Sequence, residues 1–187
     1  GAGRSTAELA FALMLGLARH LRTEFDAMRP GGGWQTTLGF DLEGKTLGIL
    51  GLGNLGAKVG RIGAAFGMKI IAWSENLTDE RARERGAERV DKDELFKRSD
   101  IVTIHSVLSP RTRGLIGARE LALMKPTALL INTSRGPIVD EKAIVAALGE
   151  KRIAGYGADV FDVEPLAADH PLRAERSEEH TSELQSL

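Results

Sequence analysis

Cysteine is absent from the 187 residues, which excludes a disulfide framework, a thiolate nucleophile and a cysteine-ligated zinc site. A cytoplasmic compartment is therefore expected. An excess of charge of either sign is also lacking. The 25 Lys and Arg against 26 Asp and Glu leave a net charge of −1 with a pI near 6.5. Without a clustered basic face, nothing supports binding to nucleic acid. Long hydrophobic runs are missing too. The longest apolar stretch, Leu9 to Ala18, is too short to span a bilayer and has neither the basic leader nor the small-residue cleavage site of a signal peptide. No membrane partner, metal site, internal repeat or low-complexity tract is expected. What remains is ordinary for a water-soluble globule: 42% hydrophobic and 27% charged residues, enough for one well-packed domain.

The stretch from Lys45 to Asn76, KTLGILGLGNLGAKVGRIGAAFGMKIIAWSEN, organises the rest. Thr46 to Leu50 is apolar without alternation, as in a strand buried on both faces of a parallel sheet. GLGNLG follows directly and places Gly51, Gly53 and Gly56 in the GxGxxG spacing. Gly51 allows the tight turn off the strand, Gly53 lets a diphosphate approach the backbone, and Gly56 lets the next helix sit close on the strand. Leu55, Val59, Ile62 and Phe66 recur at helical spacing and predict one buried helix face. The helix N-terminus at Asn54 and Leu55 then points free N–H groups at a bound phosphate. The second strand, Lys69 to Trp73, completes the unit, so dinucleotide binding outweighs a bare glycine turn.

Elsewhere the chain alternates. Ser5-Thr6-Ala7-Glu8 matches a capping box, and Leu9, Leu13, Leu17 and Leu21 predict a helix running to about Arg22. With Phe11 and Met14 that helix is apolar on more than one side, which implies burial against a second domain or subunit. Trp34 to Gly44 reads as an irregular arm. Helices are expected over Thr78 to Arg85, stopped by Gly86, and over Asp91 to Lys97, Glu120 to Met124 and Asp140 to Leu148. Strands are expected over Ile101 to His105, Ala128 to Asn132 and Ile153 to Val160. Strands spaced by helices give an α/β fold with a doubly wound parallel sheet, a Rossmann-type dinucleotide-binding domain.

Ligands of such sheets lie at the carboxyl ends of the strands, which directs attention to His105-Ser106-Val107, Thr133-Ser134-Arg135 and Asp159-Val160-Phe161. Here GLGNLG, HSVLSPRTRGLIG, INTSRGPIVD and ADVFDVEP, in that order, resemble the D-isomer-specific 2-hydroxyacid dehydrogenases, the family that includes phosphoglycerate dehydrogenase and glyoxylate reductase. The resemblance implies an oxidoreductase that moves a hydride between NAD, or NADP, and a small D-2-hydroxy or 2-oxo acid. It implies that Arg135 holds the substrate carboxylate, a task suited to a planar guanidinium. Glu164 would be the acidic partner of a catalytic histidine, with Asp162 the decoy two residues earlier, and Asp159 would receive the nicotinamide carboxamide. His105, Val107 and Thr133 fall on the cofactor side of the strand ends. Homodimers built on the cofactor domain are implied as well.

The family's ribose-binding aspartate aligns with Ser74, so the acid is displaced to Glu75, which lies 19 residues after Gly56 and near the usual spacing of about 20. No Arg or Lys lies between Trp73 and Asp79, which favours NAD. The alternative is that Arg81 or Arg83 pairs with the 2′-phosphate of NADP. The family's proton-donating histidine belongs to a proline-histidine motif beyond Asp169-His170-Pro171-Leu172, and none follows here. His20, His105 and His170 do not replace it. Arg176 to Ser186 resembles one reading frame of a widely used sequencing adapter. The expected division is an interdomain or dimer helix over 1–30, the dinucleotide-binding domain over 31–173 and a non-native tail over 174–187. A substrate domain is largely absent, and the fragment alone is expected to be inactive. An NAD(H)-sensing, corepressor-like scaffold is the competing function.

Overall fold

The computed structural model describes residues 2–174. Beyond residue 174, the stretch expected to be a non-native tail lies outside the described residues. Two helices, α1 (Ala2–Ala18) and α2 (Leu21–Ala27), precede β1 (Thr46–Leu50). Then come α3 (Asn54–Ala65), β2 (Lys69–Trp73), α4 (Asp79–Glu84), β3 (Glu88–Arg89), α5 (Lys92–Arg98) and β4 (Ile101–Ile104). The chain continues through α6 (Ala118–Leu123), β5 (Leu129–Asn132), a 3-10 turn (Gly136–Ile138), α7 (Glu141–Gly149), β6 (Gly155–Ala158) and α8 (Pro171–Ala174).

The six strands form one sheet in the order β3-β2-β1-β4-β5-β6, and every pairing is parallel. The order reverses between β1 and β4, where Leu50 stands beside Ile104. That reversal opens a crevice at the carboxyl ends of the strands. All residues of β4, β5 and β6 are buried, which is why these segments show no polar alternation. One face of the sheet, with Leu47, Ile49, Ile70 and Ile131, packs under α1 and α3. The other, with Ile71, Val102, Ile104, Leu130 and Tyr156, packs under α5, α6 and α7. No helix among the described residues is long and apolar enough to cross a membrane.

Three local expectations change. Helix α1 already runs from Ala2, so Ser5 to Glu8 lies within its first turns, and it stops at Ala18 before His20 adopts φ 50° and α2 begins. Its apolar residues face this chain's own sheet: Ala10, Leu13, Met14 and Leu17 are buried in one cluster with Leu129 and Ile131, and Phe11 stacks on Phe66. A separate domain or subunit is not needed to cover them. In α3 the buried face is made mainly of small residues, Gly56, Ala57, Val59, Gly60 and Gly63, while Leu55 and Ile62 are half-buried and Phe66 is exposed at its rim. A Cβ at Gly63 would come within 2.7 Å of Leu47 Cδ2, so glycine sets how closely helix and strand approach.

Candidate functional site

The carboxyl edge of the sheet is stitched together from β1 to β6. Gly51 turns off β1 with φ +103°, and a Cβ there would fall 2.7 Å from the His105 carbonyl and from Ser106 Oγ. Only glycine suits both the conformation and the space. Its N–H donates to the Trp73 carbonyl at 2.9 Å and the His105 N–H to the Leu50 carbonyl at 2.8 Å. The Leu52 N–H donates to Ser74 Oγ at 2.9 Å. Gly53, next in line, is exposed and nothing lies within 4 Å of where its Cβ would be. Asn54 and Leu55 open α3 directly behind it.

Farther along, Ser134 Oγ donates to the Ser106 carbonyl at 2.5 Å, and Asn132 Nδ2 donates to the Arg135 carbonyl at 3.0 Å. Gly136 meets the backbone of Phe161 and Asp162 so closely that a Cβ would reach Asp162 N at 2.6 Å. The loop bearing Arg135 is thereby pressed against the loop bearing Glu164. Arg135 is exposed, with Nη1 donating to the Ser134 carbonyl at 2.6 Å. Glu164, also exposed, accepts the Phe161 N–H at 2.9 Å, which closes the turn over the end of β6. Asp162, the decoy, is exposed.

Three buried polar atoms at successive strand ends have no hydrogen-bond partner among the described residues: His105 Nδ1 after β4, Thr133 Oγ1 after β5 and Asp159 Oδ1 after β6. Buried polar atoms are nearly always paired, so this row marks a place where a ligand completes the bonding. Burial lowers the His105 pKa to about 4, so the ring is neutral at physiological pH, with Nε2 on Thr103 Oγ1 at 2.9 Å. Burial, and secondarily the charge of Glu164, raises the Asp159 pKa. Val107 projects past the edge, 84% exposed. At the other end Ser74 is engaged with Leu52, whereas Glu75 is exposed.

A glycine turn beneath a free helix N-terminus, followed by a row of unsatisfied polar atoms at the ends of β4, β5 and β6, has the placement and polarity for a dinucleotide. The family model described as D-isomer specific 2-hydroxyacid dehydrogenase, NAD binding domain, matches residues 11–180. The chain belongs to this family. A glyoxylate reductase of Aeropyrum pernix is 47% identical over 178 residues, 91% of this chain and 53% of the relative. A phosphoglycerate oxidoreductase of Vibrio cholerae superposes with a TM-score of 0.87 at 33% identity, covering 93% of this chain and 57% of the other. A D-isomer specific 2-hydroxyacid dehydrogenase of Lactobacillus delbrueckii ssp. bulgaricus, in its NAD-complexed form, superposes with a TM-score of 0.78 at 30% identity, covering 88% and 53%. The chain spans about half the length of the curated glyoxylate reductases it matches, and corresponds to their NAD-binding domain. These comparisons give no support to the corepressor-like scaffold.

Family membership puts NAD in the crevice, and the row of orphaned atoms with the open face at Gly53 fits it. Sequence reasoning placed Ser106 and Ser134 at the strand ends but gave neither them nor Asn132 the role of locking the edge, and it missed the basic residue Arg85, whose Nη1 donates to the Leu52 carbonyl at 2.9 Å. The strand-end positions of the first three were a usable signal. No spacing rule singles out Arg85.

Proposed function

We propose that the parent protein is a D-2-hydroxyacid dehydrogenase acting on a small 2-hydroxy or 2-oxo acid, with this chain supplying its cofactor domain. When bound, the nicotinamide supplies or accepts the hydride. Gly51, Gly53, Asn54, Leu55 and Gly56 bind the diphosphate through bare backbone and the helix N-terminus. Ser74 and Glu75 border the adenosine ribose. His105, Val107, Thr133 and Asp159 line the path toward the nicotinamide, Asp159 accepting from the carboxamide. Arg135 holds the substrate carboxylate and polarises its carbonyl. Glu164 orients an imidazole and favours its protonated form, and none of His20, His105 and His170 serves as that imidazole. His105 is buried and neutral, and His170 is bonded to Glu141 at 2.9 Å.

The observation that carries this reading is the row of unsatisfied atoms at His105, Thr133 and Asp159 beside the Arg135 loop. The division into a dimer helix, a cofactor domain and a tail is part of the proposal, as are a homodimer and a cytoplasmic setting consistent with the absence of cysteine. Titration of the 187-residue chain with NADH, followed by calorimetry, tests it. Saturable one-to-one binding without turnover of glyoxylate or hydroxypyruvate is expected. Failure to bind NADH overturns the cofactor assignment, and turnover at the rate of intact enzymes overturns the statement that the chain lacks its proton donor.

A further inference from the structure

Beyond Asp159 the chain leaves the sheet and runs to Leu172 as a segment with little to hold it. Residues 162–165 and 167–169 are exposed, while Phe161, Leu166 and Leu172 turn back onto the core. Its hydrogen bonds are mostly internal. The Phe161 N–H is satisfied by Glu164, the His170 N–H by the Ala167 carbonyl at 3.1 Å, and Arg173 Nη2 donates to the Leu166 carbonyl at 2.8 Å. Among the described residues only one hydrogen bond joins residues 160–174 to the rest of the domain, from His170 Nε2 to Glu141 Oε1 at 2.9 Å.

The imidazole has a separate task for each nitrogen. Nδ1 accepts the Leu172 N–H at 3.2 Å and so caps the short helix α8, while the proton given to the Glu141 carboxylate sits on Nε2. Glu141 opens α7 immediately after its cap Asp140, where the helix dipole favours a carboxylate. One side chain thereby fastens the far end of an exposed segment to a helix packed on the sheet. The near end is fixed as well, by the Asp159 N–H on the Asn132 carbonyl at 3.4 Å and by the close fit of Gly136 against Phe161 and Asp162. Glu164 lies between these two anchors. A segment with so few buried contacts opens locally with ease unless both ends are held.

We propose that His170 is a positioning residue: through Glu141 it holds the 160–172 segment closed, so that Glu164 keeps the place from which it orients the imidazole of the parent enzyme. This rests on the role given to Glu164 above. It assigns His170 a task that needs neither proton transfer nor contact with substrate, and Leu172, 3% exposed two residues on, supplies the apolar half of the same clasp. The cap and the tether are separable, because an asparagine amide reproduces the position of Nδ1 and a glutamine amide that of Nε2.

Amide exchange measured by NMR on the 187-residue chain at neutral pH, without nucleotide, tests the proposal. The reporter is the Phe161 N–H, which the Glu164 carboxylate covers at 2.9 Å. His170→Ala and His170→Asn should each speed its exchange by about fivefold or more, whereas His170→Gln should keep it within about twofold of the unaltered chain, and the β5 amides of Leu130 and Ile131 should not change. Glu164→Ala sets the scale by removing the cover itself. If Asn protects the amide, or Gln fails to, the bond to Glu141 is not what holds the segment and the proposal falls. Unchanged exchange in His170→Ala also overturns it. If His170→Ala does not fold, as judged by circular dichroism, Glu141→Ala cuts the same bond from the other side and must give the same acceleration. Collapse of both variants would overturn the proposal, since the pair would then hold the whole domain and not this segment. A parallel NADH titration keeps the two readings apart. An unchanged Phe161 amide in a chain that binds NADH removes the tether and leaves the cofactor reading, and acceleration in a chain that binds no NADH does the reverse.

Discussion

Gly53 and Gly56 are one turn of helix apart, and their surroundings predict opposite responses to a methyl group. At Gly53 the backbone has φ −77° and nothing lies within 4 Å of a Cβ. Gly53→Ala should therefore change stability by no more than about 1 kcal/mol, the scale of an N-cap preference. The added methyl would occupy the face a diphosphate approaches, so NADH affinity should drop by about tenfold or more, a loss of about 1.4 kcal/mol. At Gly56 a Cβ would run into the Gly51 carbonyl and reach Ile49 Cγ2 at 3.0 Å, so Gly56→Ala should cost about 1–3 kcal/mol of folding stability through overpacking. Urea unfolding and NADH titration of the two variants separate the effects, and equal stability losses would contradict the contrast. His105 makes a second prediction at this scale. Burial lowers its pKa from 6.5 to about 4, so the folded state binds fewer protons than the unfolded chain between those values. The stability it contributes is whole above about pH 6.5 and is lost as the pH falls toward about 4. Asp159, whose pKa is raised, acts in the opposite sense. The melting temperature should decline over this window, and His105→Asn should flatten the decline. An unchanged slope would show that His105 titrates normally.

Asp100 ties three elements at the amino-terminal edge of the sheet, opposite the site. Its carboxylate accepts the Thr46 N–H at 2.8 Å where β1 begins and the Lys125 ammonium at 2.8 Å before β5. Burial opposes its ionisation, but Lys125 and Thr46 outweigh that and the pKa is lowered from 3.8. Its stabilisation is therefore present above about pH 4 and lost below it, outside the His105 window. Asp100→Asn should cost about 1–3 kcal/mol at neutral pH, read by denaturant unfolding, and should leave NADH affinity within about twofold, since the carboxyl edge is untouched. A twofold change is about 0.4 kcal/mol. This edge was partly legible in the sequence, because an acid before an apolar run was visible at Asp100. The unit from Thr46 to Trp73 was read to within a residue, since an unbroken apolar run, a glycine turn and a helical period are each fixed by local chemistry. What was not legible depends on tertiary packing. Strand β3 is two exposed residues, Glu88 and Arg89, with no apolar pattern to announce it. Beyond Gly56 and Val59, the seat of α3 is Ala57, Gly60 and Gly63, small residues that carry little hydrophobic signal. The apolar girth of α1 was visible, but whether sheet, domain or subunit covers it is decided by where the chain returns.

With α1 covered by its own sheet, the surface that remains apolar lies next to it, and it changes where self-association is expected. Helix α2 has no buried residue, and Phe25 is 71% exposed, Trp34 72% and Leu38 96%. Met28 is exposed as well. These residues are not scattered on unrelated loops. The Glu24 carboxylate accepts the Thr37 N–H at 2.7 Å, Thr37 Oγ1 at 2.6 Å and Thr36 Oγ1 at 3.1 Å, which binds the arm around Trp34 to α2 and presents both as one surface. Large apolar residues left exposed on a helix and on the arm tethered to it mark an interaction surface. A second copy of this chain is the occupant expected from the homodimer proposed above, through the arm around Trp34 as expected but with α2 in place of the first helix beside it. Sedimentation equilibrium of the 187-residue chain should give a dimer at tens of micromolar (roughly the range of weak interfaces). Phe25→Asp and Trp34→Asp, both on exposed positions that carry little of the fold, should yield monomers with an unchanged melting temperature. A monomer in the unaltered chain at that concentration, or a dimer that survives both substitutions, would place the contact elsewhere.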